Sequence, residues 1–109
     1  MGWDPEQYLT FADHRLRPAV ELLARVPAAA PARVVDLGCG AGNVTALLRA
    51  RWPEAHITGL DNSEAMLDRA RATGLDCDWV KADIASWRLD RPVDVLFSNA
   101  ALQLSLIHI

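Results

Sequence analysis

Ten consecutive residues limit this chain more than any others: Val34-Val35-Asp36-Leu37-Gly38-Cys39-Gly40-Ala41-Gly42-Asn43. Arg33 to Leu37 is a short apolar run with the character of a buried strand, and it ends on glycine. Helical spacing opens directly afterwards, with Val44, Leu47 and Leu48 on one face. Between the two, glycines recur at alternate positions, 38, 40 and 42. They let the backbone turn sharply and let a ligand lie against the main chain with no Cβ in the way. A polar group placed there can meet the free N–H groups at the helix start. A purely structural turn is the other meaning of such a loop, and the loop by itself does not choose between them.

The pattern beyond the loop repeats strand and helix. A helix over Asn43–Arg51 is stopped by Trp52-Pro53, and His56 to Leu60 forms a second strand ending at Asp61. Ser63 can cap a helix running to about Ala72, with Met66, Leu67 and Ala70 inward and Gly74 at its C-terminal cap. Cys77 to Lys81 is a third strand and Val93 to Phe97 a fourth, with a loop or short helix over Ile84–Leu89 between them. Ahead of the core, Leu16, Val20, Leu23 and Val26 mark a helix from about Asp13 to Arg25, with Pro18 in its first turn. Strands alternating with helices predict an α/β fold built on a parallel sheet with right-handed crossovers and helices on both faces. Residues 1–32 form a lid or helical segment, and 33–103 the ligand-binding α/β half-domain.

Composition removes several function classes. A chain of 109 residues has room for one modest core, and 51% apolar with 23% charged residues is globular in character. A net charge of −3 without a basic block argues against nucleic acid as a partner. No apolar stretch approaches the ~20 residues that span a bilayer, so no membrane partner is expected. Met1-Gly2-Trp3-Asp4-Pro5-Glu6 lacks the features of a secretory signal and of a myristoylation site, which makes the cytoplasm the expected location. Cys39 and Cys77 are too few and too far apart for a disulfide framework or zinc site. They are read as reduced thiols, and no metal is expected.

The strand ends carry the chemistry. The glycine spacing is G-x-G-x-G, whereas dinucleotide-binding loops use G-x-G-x-x-G to pack a pyrophosphate on the helix start. S-adenosylmethionine has no phosphate and brings a zwitterionic amino-acid end, whose ammonium Asp36 could hold directly or through water. Cys39, inside the loop, has the character of a small buried side chain. Asp61, 19 residues beyond Gly42 at the second strand tip, can accept both ribose hydroxyls, with Asn62 beside it. An acid there also serves dinucleotides, or simply starts a helix. Asp83 would face the adenine amino group, with Ile84 on the ring and Met66 on its other side, although Met66 also suits a core. Asn99 closes the fourth strand where donor and acceptor would meet. All four tips fall on the carboxyl edge of the sheet, where open α/β folds bind ligands.

With these residues in view, the chain resembles the class I methyltransferases. The resemblance rests on Asp36-Leu37-Gly38-Cys39-Gly40 with Asp61, Asp83 and the Asp94–Asn99 segment. Within that class it is most similar to the trans-aconitate methyltransferase family, over nearly the whole chain to Gln103. Trp3-Asp4-Pro5-Glu6-Gln7-Tyr8-Leu9, Arg17 to Pro27, Arg51-Trp52-Pro53, Ala82-Asp83-Ile84 with Trp87, and Ser98 to Gln103 carry that similarity. The resemblance implies a Rossmann-like fold with strand order 3-2-1-4, S-adenosyl-L-methionine as cofactor, and methyl transfer to a carboxylate of trans-aconitate, giving a monomethyl ester. A carboxylate acceptor is already ionised at neutral pH, its ordinary pKa being about 4, so no catalytic acid or base is nominated. Alignment of oxygen, carbon and sulfur can supply up to roughly 7–11 kcal/mol of the barrier. A tricarboxylate wants cationic partners, and His14, Arg15 and Arg17 are candidates from the N-terminal segment, against the alternative of a solvated helix face; Tyr8 is a further substrate candidate, or a packing or lid residue. A different small-molecule acceptor, a non-catalytic cofactor-binding module and an NAD-binding oxidoreductase fragment stay as competing readings.

The chain also departs from that family. There, a Trp and a Leu-Pro-Asp-His-like stretch follow the position of Gln103, and more than a hundred further residues complete a seven-stranded sheet. Here Leu104-Ser105-Leu106-Ile107-His108-Ile109 follow. These six contain neither the Ala nor the Arg that mark the rest, and hold two of the four isoleucines. Residues 104–109 are therefore expected to be a non-native tail, leaving the fourth strand with an unpaired edge and the fragment association-prone and inactive. Reading the genomic DNA past the codon for Gln103 checks this: an in-frame continuation of different sequence is expected, and a natural stop after the codon for Ile109 defeats it.

Overall fold

The computed structural model describes residues 16–26, 30–83 and 93–98, and the backbone of 103–106. Its elements, in chain order, are α1 (Arg17–Ala24), β1 (Arg33–Leu37), α2 (Asn43–Arg51), β2 (His56–Asp61), α3 (Glu64–Ala72), β3 (Asp78–Lys81), β4 (Val95–Ser98) and β5 (Gln103–Leu106). Strands β1 to β4 are parallel and lie in the order 3-2-1-4, as expected from the alternation of elements. Parallel neighbours require crossovers, and α2 and α3 are the crossovers from β1 to β2 and from β2 to β3.

Side-chain alternation along the strands sorts the core into two faces. Val34, Ile57, Val95 and Phe97 point to the face on which α1 and α2 lie, and pack with Val20, Leu23, Val44, Leu47, Leu48 and Trp52. Val35, Leu60 and Val93 form a smaller cluster on the other face, flanked by Leu37, Ala82 and Leu96. The described helices all sit on the first face. The expected loop or short helix over 84–89 lies outside the described residues.

Local boundaries follow from capping. Ser63 accepts the Met66 N–H through its side chain at 3.3 Å and starts α3. Gly74, at φ +75°, follows its last turn. Pro18 occupies the first turn of α1, where a missing N–H costs nothing; Asp13 to Arg15 of the expected longer helix lie outside the described residues. The fourth strand begins two residues later than expected. Asp94 is occupied elsewhere: one carboxylate oxygen accepts the N–H groups of Ala32 and Arg33, at 2.6 and 3.0 Å, and pins the entry to β1.

The expected free edge of the fourth strand is corrected. Gln103–Leu106 pairs antiparallel with β4, Ser98 opposite Gln103 and Val95 opposite Leu106. Only four residues separate the two strands, and a connection that short can return a strand antiparallel but cannot carry the dozen or more residues of a parallel crossover. The expected boundary after Gln103 thus falls inside β5.

Gly59 in β2 is a packing requirement that the sequence pattern did not single out. It stands beside Trp79 of β3, and a Cβ built on it would lie 2.7 Å from two carbons of the indole and 3.1 Å from Cys39 Sγ. The ring thus fills the place of the absent side chain, and its far edge reaches Gly42, where a built Cβ would also lie 3.5 Å from the Ala70 Cβ of α3. Gly59→Ala is expected to destabilise the chain by roughly 1–3 kcal/mol through overpacking, and by less when combined with Trp79→Leu. Urea denaturation of the two variants measures this, and an undiminished midpoint in the single variant contradicts it.

Candidate functional site

The glycine loop joins β1 to α2 at the carboxyl edge, and the tip of β2 holds it there. The N–H groups of Gly38 and Cys39 both donate to the Leu60 carbonyl, at 2.8 and 2.9 Å. Gly40 N–H donates to Asp61 Oδ2 at 2.9 Å, and Gly42 N–H to the Cys39 carbonyl at 3.0 Å. All three loop glycines adopt the left-handed region, at φ +72°, +57° and +93°. Gly40 and Gly42 serve different ends. Among the described residues, nothing lies within 4 Å of a Cβ built on Gly40, whereas Gly42 is crowded by the Trp79 ring at 3.1 Å.

The start of α2 is available to an anion. Its N-cap residue, Gly42, supplies no side-chain hydrogen bond, and its first turn contains no acid. The first N–H groups of the helix and its positive dipole end therefore retain their affinity for a carboxylate.

Asp61 ends β2 with both carboxylate oxygens engaged: Oδ2 on Gly40 N–H, and Oδ1 on Ser63 N–H at 2.9 Å. It therefore locks the loop and the start of α3 together. A carboxylate offers about four lone-pair sites, so two remain for hydroxyl donors. Asn62 beside it is exposed and Met66 half-buried. The Ala82 N–H donates to the Asp61 carbonyl at 3.0 Å, which sets the exposed Asp83 next to the tip of β2.

Asp36, expected at the strand tip to hold a ligand's ammonium directly or through water, lies inside the chain. It has no exposed surface. Its side chain alternates with that of Val35 and so faces the helices; Thr45, in the first turn of α2, closes over it, donating to Oδ2 at 2.6 Å. Oδ1 has no hydrogen-bond partner among the described residues. Direct contact with a ligand is thus unavailable in this arrangement. Burial drives its pKa up to about 7; the Thr45 hydroxyl opposes the shift and the Asp61 charge adds to it. The period-two pattern, which puts Asp36 on the side of Val34, was the sequence signal for this burial. Cys39 is buried as expected, and its thiol is pushed up to about 12, chiefly by burial and then by the charges of Asp36 and Asp61.

The remaining candidates divide. Arg17 is exposed and 3.8 Å from Glu21, one turn along α1, so it lies on a solvated helix face and not toward a pocket. Tyr8, His14, Arg15, Ile84 and Asn99 lie outside the described residues. Sequence reasoning missed Arg49, whose guanidinium donates to the carbonyls of Trp52, Pro53, Ala55 and Asp76 and ties the loop before β2 to the loop before β3. No local pattern signals this, because the two loops meet only in the folded chain. A cavity of about 330 Å³ opens beside it, lined by Glu54, His56, Cys77 and Asp78 among others. It lies at the amino edge, opposite the glycine loop, away from where open α/β sheets bind ligands.

Asp36 sets a test of this geometry. Its pKa stands at about 7 in the folded chain against about 3.8 when solvated, so between those values the folded state holds more protons than the unfolded one. Stability is expected to fall as pH rises from about 4 to about 7 and then level, the Asp36 contribution being on the order of 1–4 kcal/mol. Asp36→Asn should flatten that limb in urea denaturation at pH 4.5 and 7.5. Equal slopes in the two proteins contradict the buried acid.

Comparison with known proteins identifies the family. Residues 34–107 match the family described as "Methyltransferase domain". Over 93% of its length the chain is 55% identical to trans-aconitate 2-methyltransferase of Shigella dysenteriae serotype 1, covering 40% of that protein. A TM-score of 0.63 and 35% identity relate it to the S-adenosylmethionine dependent methyltransferase from Mesorhizobium loti, over 77% of this chain and 39% of that one. A chain in the complex between the Haloferax volcanii Trm112 methyltransferase activator and a methyltransferase gives a TM-score of 0.70 at 30% identity, over 85% and 42%. The chain spans about two fifths of the length of the curated relatives it matches. With a family match over most of its residues and the strand order and glycine loop described above, the chain belongs to the methyltransferase domain family.

Proposed function

We propose that this chain is the S-adenosyl-L-methionine-binding portion of a methyltransferase that esterifies a carboxylate of trans-aconitate. The observation that carries the cofactor assignment is the left-handed loop pinned to the tip of β2, with open space at Gly40 among the described residues and an uncapped helix start beside it. A zwitterionic amino-acid end suits that place: its carboxylate has the first N–H groups of α2, and its ammonium the negative field of Asp36 and Asp61. The ribose hydroxyls have the spare lone pairs of Asp61, and Asn62, Met66, Asp83, Ile84 and Asn99 are the proposed partners of the rest of the cofactor. The acceptor assignment is carried by the similarity to trans-aconitate 2-methyltransferases.

The cofactor supplies an electrophilic methyl group on a sulfonium. The residues of this chain have the tasks of holding its two ends and fixing its direction at the sheet edge. No side chain has to remove a proton, because the acceptor carboxylate is ionised at neutral pH. Tyr8 and Arg15 in the 1–32 segment are the proposed partners for the acceptor's other carboxylates.

Titration calorimetry checks the cofactor assignment. S-adenosylhomocysteine should bind and NAD should not, since the loop lacks the spacing that packs a pyrophosphate. Asp61→Ala should weaken S-adenosylhomocysteine binding by about 10–100-fold, the worth of hydrogen bonds to a charged group. Unchanged affinity in that variant removes the proposed pocket.

A further inference from the structure

Asp36 is placed where a ligand's charge can act on it without touching it. It lies on β1 two residues ahead of the glycine loop, behind the first turn of α2. It has no exposed surface, takes one hydrogen bond, from Thr45, and leaves Oδ1 without a partner among the described residues. A fully charged carboxylate with no exposed surface and one oxygen undonated is poorly stabilised, and the neutral acid is the form such a place favours.

We propose that Asp36 couples a proton to occupancy of the glycine loop: it is a neutral acid when the loop is empty and a carboxylate when a cationic aminoacyl nucleoside sits there. This rests on the cofactor reading above. On binding, the carboxylic O–H of Asp36 gives its proton to the solvent buffer, and the charge left behind faces the positive charge of the ligand. The Thr45 hydroxyl serves both states, donating to Oδ2 of the carboxylate, or standing as partner to the acid.

The surroundings favour this coupling. From β2, Asp61 presents a like charge; from the loop and from the approach to β3, Cys39 and Cys77 present thiols that burial keeps protonated. In register with Asp36, β2 offers the bare Gly59, β3 the indole of Trp79 one strand further on, and β4 the phenyl ring of Phe97. α2 contributes only the Thr45 hydroxyl. Among the described residues, no cation is placed to hold Asp36 ionised. An acid titrating at about 7 is half protonated at neutral pH and can release that fraction.

Calorimetric titration of the chain with S-adenosylmethionine, in two buffers of different ionisation enthalpy, measures the protons released. Most of one proton should leave per ligand at pH 6 and about half at pH 7. Binding that releases protons strengthens as pH rises, so affinity should increase about fivefold between pH 6 and pH 7. Asp36→Asn should bind with a buffer-independent enthalpy and flat affinity over that range. Thr45→Val removes the hydroxyl that lowers the Asp36 pKa, so it should release more at pH 7 than the parent chain; it tests the same coupling if the Asn variant does not fold. Binding to the parent chain with no buffer dependence overturns the coupling and leaves the cofactor reading intact. Full proton release in Asp36→Asn assigns the proton elsewhere and also overturns it. No binding at any pH sinks the cofactor reading, and this proposal with it.

Discussion

The tip of β2 is the anchor of this molecule. Its last carbonyl but one takes two N–H groups of the glycine loop, and its last side chain takes a third. Three left-handed glycines in five residues would otherwise be among the most mobile stretches of the chain, since glycine loses more freedom on ordering than any other residue. Hydrogen bonds to an adjacent parallel strand restrain that freedom at the place where a ligand has to meet a fixed surface. The same Asp61 starts α3 through Ser63, so loop, strand and second crossover helix share one carboxylate.

Behind the loop, packing and electrostatics are one arrangement. Gly59 leaves room for the Trp79 ring; the ring and the Cys39 thiol close over the sheet; and Asp36 is buried with the Thr45 hydroxyl as its one hydrogen-bond donor among the described residues. The raised acidity range of Asp36 follows from the same burial that completes the core between α2 and the sheet. The site's chemistry cannot be altered there without altering its packing.

Much of this was legible in the residues. The bounds of β1 and α2 follow from a five-residue apolar run, a glycine loop and the Trp52-Pro53 stop, and the Ser63 cap sets α3 because its hydroxyl has a defined N–H to receive. What was hidden depended on register or on loops meeting. Trp79 against Gly59 needs the alignment of β2 with β3, and Arg49 needs the loop before β3, 27 positions on, to come back to its guanidinium. A strand-end acid suggests an exposed side chain, while the alternation with Val35 turns Asp36 inward. The edge of β4 was expected bare; a four-residue connection returned the following segment onto it.

The bond between Gly40 and Asp61 leaves the carboxylate its outer lone pairs while fixing the way they face. A nucleoside that meets this carboxylate through a sugar joins the protein's own backbone as a further donor and displaces nothing. The direction from which such a guest can approach is therefore set in advance by a single peptide N–H.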